Sequence, residues 1–200
     1  MKKKLLIPAL LIALFALLLT YCDRHTVIGT LDIYFLDVGQ ADSTLVLCDG
    51  SSMLIDGGNV GDSQLIYSTL QSFNLTHLNY IVCTHAHEDH VGGLAAALNF
   101  TTVDTAYCSV TCYNSKVFDN FVKYLELQGK EITVPKAGDR FRVGETDIQI
   151  IGPVEMDPAD TNNTSIVMRL EYGNTSFLFT GDAEREVSGA LTVLSLPTGG

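Results

Sequence analysis

Thr84-His85-Ala86-His87-Glu88-Asp89-His90-Val91-Gly92-Gly93 gathers three of the chain's five histidines and two carboxylates into six residues. It follows directly on the strand-like run Asn79-Tyr80-Ile81-Val82-Cys83. Neutral imidazole and carboxylate are the donors of a hydrolytic site for a divalent ion of the zinc, iron or manganese kind. A strand that runs out at Thr84 sends His85 and His87 the same way, because strand side chains repeat every second residue. Asp89 and His90 then open a helix, expected from about Val91 to Leu98, and Gly92-Gly93 permit tight packing. One short loop can thus supply two ligands to one ion and two to a neighbour. The protease pattern His-Glu-x-x-His is absent, because His90 comes one position too early after His87.

Outward from this loop, strands precede it and β structure dominates after it. Thr30–Val38, Ser43–Cys48 and Ser51–Ile55 read as strands, with Asp49-Gly50 as a hairpin turn between the last two. Asp62–Phe73 has helical spacing, with Asp62 as a candidate N-cap. Thr102–Ser109 reads as a strand. Ser115–Gln128 reads as a helix, with Val117, Phe118, Phe121, Val122 and Leu125 on one face and Gly129 as its stop. Strands are then expected at 131–134, 139–143, 146–151, 165–172 and 175–180, the last two joined by the turn Gly173-Asn174. Residues from Ala183 begin helix-like, and 192–200 resemble an unfinished strand. Alternation of this kind predicts an α/β (α+β) protein of two sheets covered by helices. Asp182 ends the strand 175–180 after a glycine, where a carboxylate can reach the histidine loop.

The histidine loop resembles the His-x-His-x-Asp-His signature of the metallo-β-lactamase superfamily. Phe35-Leu36-Asp37-Val38-Gly39-Gln40-Ala41-Asp42-Ser43, Leu54-Ile55-Asp56-Gly57-Gly58 and Phe177-Leu178-Phe179-Thr180-Gly181-Asp182 are similar to blocks of the branch typified by the C-terminal domain of ComEC. The similarity covers roughly residues 30 to 185, in the family's order. It implies an αββα sandwich with the site at one edge between the sheets, and two divalent metal ions, zinc first and manganese as the alternative. It further implies that His85 and His87 bind the first metal, Asp89 and His90 the second, and Asp182 both. Asp89 would also hold the attacking water, as the catalytic residue. Asp56 would orient a ligating imidazole from behind, Gln40 and Asp42 would lie at the mouth, and Asn163 would stand either where other branches place a third histidine or in an Asn-rich turn. The implied substrate is a small phosphodiester or one derived from nucleic acid.

Two features depart from that pattern. Ala41 replaces the usual glycine, and no histidine follows His90. The His-His-Gly-Ser block expected after the Thr-Gly-Asp strand is missing, because the chain stops at Gly200. The sandwich is therefore expected to be incomplete at its C-terminus. The alternative to an active hydrolase is a truncated or impaired relative that binds a ligand or partner through the same cleft.

The N-terminus carries a different message. Lys2-Lys3-Lys4 precede an apolar run from Leu5 to Leu19, broken only by Pro8. A basic head and a short apolar core read as an export signal or membrane anchor over residues 1–22, and the run is shorter than the ~20 residues that span a bilayer. Leu19-Thr20-Tyr21-Cys22 resembles a lipoprotein cleavage site, although Tyr21 is large for it. The domain 30–200 then follows a linker, 23–29, and is expected outside the cell, either anchored on the outer face of the cytoplasmic membrane or secreted. Without its first 22 residues the chain has nine basic against 23 acidic residues, a net charge of −14. Such a body repels polyanions, so tight nonspecific binding to nucleic acid is not expected. Cys48 and Cys83 read as buried thiols, while Cys108 and Cys112 either pair or line a site.

Overall fold

A computed structural model describes residues 29–154 and 160–184. The segment 1–22 read as an export signal or anchor, with Cys22, and the segment from 185 onward lie outside the described residues. Among the described residues ten strands form two sheets. The first holds β1 (Leu31–Phe35), β2 (Thr44–Cys48), β3 (Ser51–Ile55), β4 (His77–Cys83), β5 (Thr102–Cys108) and β6 (Ile132–Thr133), in that order. The second runs β10 (Thr175–Phe179), β9 (Val167–Tyr172), β8 (Thr146–Gly152), β7 (Arg140–Val143), antiparallel throughout.

The turns behave as their residues dictate. Asp49 and Gly50 both take positive φ, 48° and 80°, which is the backbone of a two-residue hairpin, and β2 pairs β3 antiparallel from Cys48↔Ser51. From β3 onward the first sheet is parallel, and each crossover carries helix: α1 (Ser63–Ser72), then α2 (Glu88–Val91) with α3 (Leu94–Phe100), then α4 (Lys116–Leu127). The Ser115 hydroxyl accepts from Val117 N and starts α4, and Gly129 at φ 67° ends it.

Alternation along the strands splits the core in two. Leu45, Leu54, Ile81 and Ala106 face Ile66 and Leu70 of α1, Leu94 and Leu98 of α3, and Phe118, Phe121 and Leu125 of α4. Val46, Met53, Ile55 and Val82 face Ile148, Ile150, Met168 and Leu170 of the second sheet. The described residues therefore supply three of the four layers of the αββα sandwich: helices, sheet, sheet.

Three expectations need correction. The helix after the histidines is two short helices, not one from Val91 to Leu98, because the backbone must bend at Gly92-Gly93 to pass the loop 57–59. Asp62 does not cap α1 through its side chain; its Oδ2 accepts from Asn59 N at 2.8 Å instead. Cys108 and Cys112 are both free thiols, the first buried opposite Cys83 and the second exposed, so they do not pair.

Candidate metal centre

The ends of β3, β4 and β5 all leave the first sheet at one edge, where parallel strands present their C-terminal ends. The end of β10 and the turn before β9 arrive there from the second sheet, and the loop between β1 and β2 reaches it from the first. Ile166 N donates to Thr84 O at 2.9 Å and ties the two sheets together at this edge.

Strand periodicity carries into the loop. The His85 and His87 rings meet, with Nε2 of the first 3.0 Å from Nδ1 of the second. His87 adopts an extended backbone (φ −67°, ψ 152°) and serves as N-cap residue of α2, whose single turn brings His90 back beside His85. The ring centroids of His85 and His90 lie 4.1 Å apart. From the second sheet Asp182 places Oδ1 3.4 Å from His90 Nε2 and Oδ2 3.9 Å from His85 Nε2. His85, His90 and Asp182 each direct one donor atom into a space where all three lie within 4.8 Å of one another.

Asp56 stands behind this cluster, almost wholly buried, at a left-handed φ of 55° that aspartate tolerates. Its Oδ1 accepts Thr84 N at 2.7 Å, and its Oδ2 accepts the Thr84 hydroxyl at 2.7 Å and lies 2.9 Å from His90 Nδ1. With Nδ1–H committed to Asp56, the free nitrogen of His90 is Nε2, the one that faces Asp182. Burial holds the Asp56 carboxyl above the ordinary carboxylate range, and the bonds from His90 and Thr84 offset only part of that rise. Burial also works against a charged His90, but the hydrogen bond and charge of Asp56, with Asp182 and Asp89 beyond, hold it up at about 9. His85 is pushed the other way, to about 3, by burial and by the charges of His90 and His87. Its ring is neutral at pH 7.

Backbone contact holds the Asp56 loop against the histidine loop. Gly57 N donates to His90 O at 2.7 Å, and Gly93 N to Gly57 O at 3.1 Å. A Cβ on Gly93 would stand 2.3 Å from Gly57 O, and one on Gly92 2.3 Å from the carbonyl carbon of Asn59. Only glycine allows this approach.

The remaining residues fall around the rim. Asp89 Oδ2 accepts from Gln40 Nε2 at 3.1 Å, so it is held from the β1–β2 loop and is not in the tight group of His85, His90 and Asp182. Asp42 N donates to Asp89 O, and its carboxylate groups with Asp56 and His90. Asn163 is buried, with Oδ1 accepting from Glu184 N at 3.0 Å and Nδ2 donating to Asp160 at 3.1 Å. Sequence reading passed over Thr84 and Tyr113. Thr84 is the double donor to Asp56, and its place at the end of β4 was the available signal. Tyr113 stands edge-on to His87 at 6.4 Å between centroids and walls a cavity of about 230 Å³ with Cys112, Phe118 and Val122.

The donor set fits a divalent cation. Imidazole nitrogens and a carboxylate converge from separate backbone segments, and two of the nitrogens face each other with space for at most one proton.

Comparison with known proteins points the same way. The model of the Metallo-beta-lactamase superfamily matches residues 36–199. ComE operon protein 3 of Bacillus subtilis (strain 168) is 25% identical over 174 residues, which cover 78% of this chain and 22% of that protein. The chain therefore spans about a fifth of that relative's length. Among solved structures, the metallo-beta-lactamase SMB-1 bound to 2-mercaptoethanesulfonate superposes with a TM-score of 0.53 at 19% identity, over 83% of this chain and 71% of its own. The Rm3 metallo-beta-lactamase gives 0.50 at 18%, over 80% and 67%. At these identities the structures establish the fold alone.

Proposed function

The chain belongs to the metallo-beta-lactamase superfamily, and on that premise we propose that it is an exported metal-dependent hydrolase acting on phosphodiesters. The observation that carries the reading is the convergence of His85 Nε2, His87 Nδ1, His90 Nε2 and the Asp182 carboxylate at one sheet edge. The phosphodiester class rests on the resemblance of the blocks at 35–43, 54–58 and 177–182 to the ComEC-type branch.

His85 and His87 would hold a first ion, Asp89 and His90 a second, and Asp182 both. Two bound divalent ions, zinc first and manganese second, would acidify a water and offset charge gathering on the phosphoryl oxygens. The chain's own residues do the rest. Burial keeps the His85 ring neutral, so it presents a lone pair rather than a proton. Asp56 fixes the tautomer and angle of His90. Gln40 holds one oxygen of Asp89 and leaves the other to orient the attacking water.

The test is turnover of a chromogenic bis-aryl phosphate by purified protein in zinc or manganese, beside His87→Ala and Asp89→Ala. Both substitutions are expected to lower kcat/KM by at least 10–100-fold, and chelation should abolish turnover. Turnover that survives in either variant would overturn the assignment.

A further inference from the structure

Asp182 is the one proposed ligand that arrives from the second sheet, and its carboxylate is loosely held. Its oxygens stand 3.4 and 3.9 Å from the imidazole nitrogens, beyond good hydrogen-bond distance, and its side chain is 39% exposed. Its place is therefore set by its backbone. Gly181, at φ 49°, lies against Thr84 and Ser165, where a Cβ would come within 2.8 Å of the Thr84 hydroxyl. Ala183 N closes a local turn on Thr180 O at 3.2 Å. Among the described residues two further hydrogen bonds tie the turn to another element: Glu184 N to Asn163 Oδ1 at 3.0 Å, and the longer Asn162 Nδ2 to Glu184 Oε1 at 3.5 Å.

Asn163 is well placed to act as an anchor. It is 9% exposed, and its amide nitrogen is committed to Asp160 Oδ2. The short 3-10 turn that carries it (Asn162–Thr164) is itself pinned at two points. Thr164 Oγ1 lies 3.1 Å from Ser109 Oγ at the end of β5, and Ile166 N bonds Thr84 O. The turn thus reports the position of the histidine loop to the Asp182 loop. We infer that Asn163 is a positioning residue for the metal centre: it binds no ion, and its side-chain carbonyl sets the distance of Asp182 from His85 and His90. The inference rests on the metal-binding part of the proposed function and is independent of the substrate.

A double-mutant cycle on the full chain tests it, read as zinc affinity by competition with a chromophoric chelator and as the Tm of metal-free protein. Asn163→Ala is expected to weaken zinc binding 10–100-fold. In an Asp182→Ala background the same substitution should change affinity by no more than about twofold, because a residue that acts through Asp182 has nothing left to act on. Glu184→Pro removes the donor N–H with Asn163 intact, so it should reproduce the weakening and its loss in that background. It also keeps the test open if Asn163→Ala fails to fold. A lower Tm with unchanged zinc affinity would reduce Asn163 to a purely structural part and overturn the inference. Full additivity with Asp182→Ala would overturn it in favour of a direct ligand. If Asp182→Ala itself leaves zinc affinity unchanged, the metal reading of Asp182 falls, and the role of Asn163 with it.

Discussion

His90 shows how one residue joins stability to chemistry. It is nearly fully buried, yet carboxylates hold its pKa at about 9, above the ordinary 6.5. A histidine raised in the folded state adds stability that is fully present below pH 6.5 and is lost as pH rises through about 9. The size is of order 3 kcal/mol, at roughly 1.4 kcal/mol per pKa unit. Metal-free protein is therefore expected to lose denaturant resistance between pH 6.5 and pH 9.5. Asp56→Asn removes the main partner of the charged ring, so that variant should be less stable at pH 6.5 and nearly flat across the window. An equal alkaline loss in both proteins would show that His90 is not its source. Zinc uptake at pH 7 should release a proton from His90 Nε2, measurable in weakly buffered solution and absent in His90→Ala.

At the scale of elements, the site depends on two loops whose backbones touch. The bend between α2 and α3 lets Gly93 N reach Gly57 O, and this contact presses the Asp56 loop onto His90. Gly93→Ala would put a Cβ 2.3 Å from that oxygen and 3.0 Å from the Ile66 side chain, so the loops must part. The expected cost is about 1–3 kcal/mol in stability, with weaker zinc binding because Asp56 no longer sits square on His90. Ala95→Gly in α3 is the control: helix propensity alone should cost about 1 kcal/mol there and leave zinc affinity unchanged. If both variants bind zinc like the parent, the contact between the loops does not govern the site.

The whole molecule places this edge away from the N-terminus only in sequence, since residues 1–28 lie outside the described structure. Among the described residues no helix is long and apolar enough to cross a membrane. We propose that residues 1–22 are an export signal or membrane anchor with a lipid on Cys22, on the strength of the basic head and apolar run. Protease added to intact cells is expected to digest the domain, and Cys22→Ala to shift it from the membrane fraction to the medium. Protection of the domain until lysis would refute export. Its release unchanged by Cys22→Ala would refute the lipid alone.

Local sequence determined much of this molecule. Period-two runs marked most strands, Asp49-Gly50 and Gly173-Asn174 marked two hairpins, and the spacing of His85, His87 and His90 marked the loop where donors gather, because each depends on neighbours a few residues away. The resemblance named Asp56 and Gln40 as supporting groups, but the tertiary structure alone decided which partner each one meets. Asp56 meets His90 across 34 positions, Gln40 meets Asp89 across 49, and Asn163 meets Glu184 across 21. The break at Gly92-Gly93 belongs with these, since it answers to a backbone more than 30 residues upstream. Such contacts are set by how the helical crossovers return each strand to one sheet edge and by how the second sheet packs on the first. Neither leaves a period in the chain.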